Sequence, residues 1–132
     1  MREGEHNRCV ARTLTGRSAP GQWGGAAAHS GAPRGFYCPK DRRQAMNLVA
    51  FEPELKVGYA RLVTISTDDL LATNENRDGL GAHWPFLSDR GRTVQKDLDI
   101  QEYTDPQHDP MVPHTLMLAP ELRVHSIYNG YW

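Results

Sequence analysis

The spacing of apolar positions divides the chain near residue 34. Upstream, MREGEHNRCVARTLTGRSAPGQWGGAAAHSGAPR contains only Met1, Val10, Leu14 and Trp23 as strong core formers among Gly, Ala, Arg and Ser. Such a segment cannot bury enough surface to offset its ordering entropy, so residues 1–34 are expected to be a disordered or non-native segment preceding the domain. Downstream, helix-period and strand-period stretches alternate with short turn signals, which is the pattern of an α/β domain over residues 35–132.

The first of these stretches reads GFYCPKDRRQAMNLVAF, residues 35–51. Proline is tolerated in the first helical turn, where its missing N–H has no partner to lose, so a helix opens at Pro39. Ala45, Leu48 and Val49, flanked by Met46 and Phe51, form its apolar stripe, with Lys40, Arg42, Arg43 and Asn47 off it. Pro53 is expected to bend or restart this helix and Gly58 to close it. RLVTIS (61–66) then suits a buried strand, and DDLLATNENRDGL a second helix capped by Thr67 and stopped near Gly79 or Gly81. WPFLSD reads as a short strand and RTVQKDLDI as a short third helix.

The stretch QEYTDPQHDPMVP has three prolines and no periodicity and is expected to be a surface connection. HTLMLAP and LRVHSIYNG flank the Pro120-Glu121 turn as a β-hairpin, with Leu116, Leu118, Val124 and Ile127 among its apolar positions. Residues 24–33, GGAAAHSGAP, lack the β-branched and aromatic residues of a convincing strand, so one central strand of the sheet reads as missing. With the chain ending just after a strand, at Trp132, the domain reads as truncated at both ends.

Composition narrows the chemistry. The formal net charge is −1, from 15 basic and 16 acidic residues, with no basic patch to suggest nucleic acid. No apolar run approaches the roughly 18 to 20 residues of a membrane span, and the N-terminus lacks a secretory signal's apolar core, so a cytoplasmic protein with no membrane partner is expected. The two cysteines, Cys9 and Cys38, are too few for a disulfide framework or a structural zinc site. No cofactor is expected. Asp105, His108, Asp109 and His114 crowd one loop without the spacing of a metal motif and read as solvated. His125 reads as an exposed strand residue, Cys9 as an incidental thiol, and Trp84, Tyr128, Tyr131 and Trp132 as core or sheet-face aromatics.

Cys38 carries the chemical interest. A thiol just before a helix meets unpaired backbone N–H groups and the positive end of the helix dipole, which favour the thiolate. A small buried apolar residue is the competing reading.

The order of elements bears on that choice. A Cys-Pro step opening a helix, then strand, helix and a later proline leading straight into a hairpin, is the layout of a thioredoxin-like fold. RGFYCPKDRRQAMNLVAF, LVTISTDD, DGLGAHWPFLSD and VPHTLMLAPELRVHSIYNGYW together resemble the peroxiredoxin-like, or redoxin, branch of the alkyl hydroperoxide reductase and thiol-specific antioxidant family, over residues 34–132. The resemblance implies a three-layer α/β/α sandwich with a mixed sheet and a thiol peroxidase whose Cys38 thiolate attacks a hydroperoxide. It implies a Pro113 beside that cysteine, in a position that is often cis, and Arg34 and Arg42 as stabilisers of the thiolate and the peroxide oxygens. Asp41 stands where many relatives carry a second cysteine, so regeneration would fall to an external thioredoxin-, glutaredoxin- or glutathione-like thiol. Gly35 stands where peroxiredoxins proper carry a threonine or serine that orients peroxide. This leaves a non-catalytic thioredoxin-like interaction module as the alternative. A homodimer stays open.

Overall fold

The structure, a computed structural model, describes residues 26–30, 39–100, 103–104, 106–107, 109, 111–112, 114–120 and 123–129, with backbone alone for 26–30 and 129. Its elements are β1 (Ala26–Ser30), α1 (Pro39–Val57), β2 (Arg61–Ser66), α2 (Leu70–Leu80), β3 (Phe86–Ser88), α3 (Thr93–Asp97), β4 (His114–Ala119) and β5 (Arg123–Asn129). They build one mixed sheet of order β3-β2-β1-β4-β5. β1, β2 and β3 run parallel, while β4 is antiparallel to β1 and β5 to β4.

The strand that the apolar pattern could not supply is therefore present, and it is central. Ala26–Ser30 pairs with β2 from Ala26↔Arg61 to His29↔Thr64, and with β4 from Ala26↔Leu118 to Ser30↔His114. The expectation that residues 24–33 hold no strand is corrected. Its reason is physical: a strand flanked on both sides is held by two backbone ladders, and these do not require the β-branched side chains by which a strand is recognised.

β2 is buried along five of its six residues, because both faces of the sheet are covered there. On one face Leu62 joins Ala82, Trp84 and Phe86, with Leu48, Val49 and Leu55 of α1 and Leu80 of α2 packed against them. The Trp84 Nε1–H donates to Thr64 Oγ1 at 2.9 Å, so this buried indole keeps its hydrogen bond. On the other face Val63 and Ile65 pack with Val94 and Leu98 around α3, with Ile100 and Met111, and with Leu116 and Leu118 of β4. The sheet thus lies between helical layers, as expected. Burying each such side chain stabilises the fold by about 1.5–3 kcal/mol.

Several boundaries differ from the sequence reading. α1 is one element through Pro53. It ends with Ala60 N–H donating to Leu55 O and Tyr59 N–H to Lys56 O, so the left-handed position falls on Tyr59 (φ 56°) and not on Gly58. α2 ends in the same motif, with Gly81 (φ 67°) in that position and Ala82 and Gly81 donating to Arg77 O and Asp78 O. The cap of α2 is Asp69, whose Oδ1 accepts from Ala72 N–H at 2.8 Å, in place of Thr67. The hairpin forms as expected, with a register shift at Met117/Leu118. His125 is exposed, Trp84 is in the core, and Tyr128 lies on the sheet but is exposed.

The stretch 101–113 is not wholly a surface connection. Met111 is only 2% exposed and belongs to the core, and Val112 N–H donates to Ile100 O at 2.6 Å. Proline and charge density hid this residue, since burial here comes from long-range packing and not from local periodicity.

Candidate active site

In an α/β sheet the natural place for a site is outside the carboxyl ends of the parallel strands, where the strand order reverses. Here that point lies between β1 and β4. β1 is followed by β2 and β3 on one side, while β4 fills the other. At this edge the last residue of β1, Ser30, is paired with the first residue of β4, His114. The chain leaves β1 at Ser30 and starts α1 at Pro39. Cys38 is the residue before that helix and Pro113 the residue before β4 in the sequence. Cys38, Arg34 and Pro113 themselves lie outside the described residues.

Of the four expected site residues, Arg42 is described. It is exposed in the first part of α1, beside exposed Lys40 and Arg43, while Asp41 is half-buried in the first turn. An acidic residue there complements the helix dipole.

Two further groups of side chains shape the same edge. At the end of β2, Ser66 Oγ–H donates to Asp68 Oδ2 at 2.7 Å, and Ser88 Oγ–H of β3 donates to Asp68 O at 2.6 Å, tying the two strand ends together. Beyond β3, the Asp89 carboxylate accepts from the backbone N–H groups of Thr93, Val94 and Gln95 at 2.8, 2.9 and 3.2 Å. α3 has Arg92 as its N-cap with no side-chain cap bond of its own, so buried Asp89 satisfies the donors that helix leaves open.

α3 then grips the approach to β4. Gln95, 1% exposed, donates from Nε2 to Asp109 O at 3.0 Å and to Asp109 Oδ1 at 3.3 Å, and accepts from Arg92 Nη1 at 3.0 Å. Arg92 Nη1 also donates to Asp109 O and lies 3.4 Å from Asp109 Oδ2. Asp109, expected to be solvated, is thus held by two side chains. Both Arg92 (φ 56°) and Asp109 (φ 44°) sit in the left-handed region, which few non-glycine residues adopt. His114 Nδ1 lies 2.9 Å from Val112 O. A carbonyl only accepts, so Nδ1 carries the proton. Asp109 is 14 residues from Gln95 and 17 from Arg92, and no local spacing signals these contacts. Away from this edge, Tyr103 donates to Asp99 Oδ1 at 2.9 Å, which holds its phenol above its ordinary pKa.

Among the described residues no group of three or more His, Cys, Asp or Glu could hold a metal ion, and no helix is long and apolar enough to cross a membrane.

No protein-family model and no curated protein matches the chain. Solved structures do. The bacterioferritin comigratory protein of Xanthomonas campestris, described for its alkyl peroxide reduction activity, superposes with a TM-score of 0.72 at 16% identity over 83% of this chain and 69% of its own. Reduced Prx3 of Vibrio vulnificus, solved in complex with hydrogen peroxide, gives 0.72 at 12% identity over 82% and 69%. The peroxidoxin BcpB of Mycobacterium tuberculosis gives 0.70 at 18% identity over 80% and 67%. The fold is thioredoxin-like α/β. Within that class its arrangement superposes on these three peroxiredoxin structures.

Proposed function

We propose that the protein is a cytoplasmic thiol peroxidase in which Cys38 reduces hydroperoxides and an external thiol regenerates it. The observation that carries this reading is the coincidence of a peroxiredoxin-type fold with a cysteine that the sequence places directly before α1, in the connection that follows β1. The open N–H groups and the dipole of a 19-residue helix favour the thiolate of such a residue.

The Cys38 thiolate attacks the terminal oxygen of ROOH. The O–O bond breaks, the sulfur becomes a sulfenic acid, and the alkoxide leaves as ROH after taking up a proton. An external thiol condenses with the sulfenic acid, releasing water and leaving a mixed disulfide. A second external thiol resolves that disulfide. Asp41 in place of a nearby second cysteine supports the external route. Arg34 and Arg42 supply positive charge toward the thiolate and the peroxide oxygens, and Pro113 packs beside the sulfur. The alkyl peroxide reduction activity of the Xanthomonas protein and the hydrogen peroxide complex of the Vibrio protein support the substrate class.

The competing reading, a non-catalytic interaction module, is favoured by one residue. Gly35 supplies no hydroxyl to orient peroxide. Coupled turnover with hydrogen peroxide or an alkyl hydroperoxide and an excess of small thiol separates the two. Turnover is expected in the protein and in Cys9→Ser and should be abolished in Cys38→Ser. Equal rates in all three would reject the peroxidase.

A further inference from the structure

One buried polar cluster is not used by the chemistry above. Gln95 is nearly inaccessible, and its side-chain amide bonds two residues in left-handed backbone, Arg92 and Asp109. Burying an amide and holding two such residues is unfavourable unless the contacts fix something. What they fix is the segment after Asp109, which contributes Met111 to the core, bonds Val112 N–H to Ile100 O, and starts β4 at His114 against Ser30. α3 is itself anchored by Asp89, whose N–H donates to Ser66 O at 2.6 Å, so the grip is referenced to the carboxyl end of β2.

We propose that Arg92 and Gln95, by gripping Asp109, are positioning residues that set the start of β4 against the end of β1 and thereby shape the peroxide side of the Cys38 site. This rests on the peroxidase reading of Cys38. The cluster acts through Asp109 and the start of β4. Its loss removes peroxide alignment without removing the thiolate.

The test uses the full chain carrying Cys9→Ser and compares the rate of Cys38 oxidation by hydrogen peroxide with its alkylation by iodoacetamide, a reagent that reports thiolate reactivity without needing an aligned peroxide. Gln95→Met keeps the volume and removes the three amide hydrogen bonds to Arg92 and Asp109. Asp109→Gly removes the carboxylate while suiting the left-handed backbone, so it serves if Gln95→Met does not fold. Each is expected to slow the peroxide reaction about tenfold, a fraction of what a misplacement of about 1 Å can cost, with alkylation nearly unchanged and a cooperative melt retained at a somewhat lower temperature. Asp109→Asn, which keeps both oxygen acceptors for Gln95, should restore the rate. Unchanged peroxide rates in both variants would overturn the positioning role and leave the peroxidase standing. So would parallel losses of both rates and of the cooperative melt, which mark a purely structural role. A parent protein oxidised no faster than thiol ionisation alone allows would remove the peroxidase reading, and this one with it.

Discussion

The two faces of the sheet are packed to different standards. The face under α3, Leu98, Ile100 and Met111 is closed: Val63, Val94 and Met111 are 0–2% exposed, and Leu116 and Leu118 of β4 are 5%. On the face under α1 and α2 the helices contribute half-buried Leu48, Val49, Leu55 and Leu80, and α1 leaves Met46, Phe51 and Val57 exposed. On that face β4 shows Met117 at 55% exposure, one residue from nearly inaccessible Leu116. The tight face holds the framework that fixes the start of β4, and the looser face carries the helix that opens after Cys38. A fold can place most of its stability away from the element that carries its chemistry.

Paired substitutions sharpen or break this contrast. The largest difference is expected between Met111→Ala, which should cost about 3 kcal/mol in urea unfolding, and Leu48→Ala, which should cost about 1 kcal/mol because its side chain is only half-buried. Equal losses would erase the distinction. Next come the helix caps. Asp89→Ala strips three backbone donors of a buried partner and should cost about 2 kcal/mol, whereas Asp69→Ala at the exposed cap of α2 should cost about 1 kcal/mol. The smallest effects belong to the two matched helix ends on the looser face. Tyr59 is 87% exposed and sits in left-handed backbone, so Tyr59→Gly should stabilise by about 0.5 kcal/mol, while Gly81→Ala at the equivalent position should destabilise by about 1 kcal/mol. Thermal melts of the two variants should move in opposite directions.

Much of this was legible in the residues. Pro39 opening α1, the buried run in RLVTIS, the short strand in WPFLSD and the HTLMLAP hairpin strand all carry local signals, and each forms. The order of these elements pointed to the thioredoxin-like fold. β1 was not legible, because Ala26–Ser30 has no apolar alternation and is recognised only by the two strands that flank it. Nor was the turn at Tyr59, where the motif takes the residue its geometry selects over the neighbouring glycine. The grip of Arg92 and Gln95 on Asp109 joins residues distant in sequence, and the prolines around Asp109 suggested open solvent. The expected Cys38 lay in the most readable stretch of the chain, whereas the contacts around Asp109 are built by residues with no local signature.

The central claim is that Cys38 is a thiol for which the protein activates peroxide, and its most direct test is the second-order rate of Cys38 oxidation by hydrogen peroxide in Cys9→Ser at pH 7. A free cysteine, with a pKa near 8.5, is only about 3% thiolate at that pH, so full ionisation alone accelerates it by about 30-fold at most. The proposal predicts a rate beyond that ceiling, lost in Cys38→Ser. A rate at or below the ceiling would contradict it, since acidity alone would then account for the thiol.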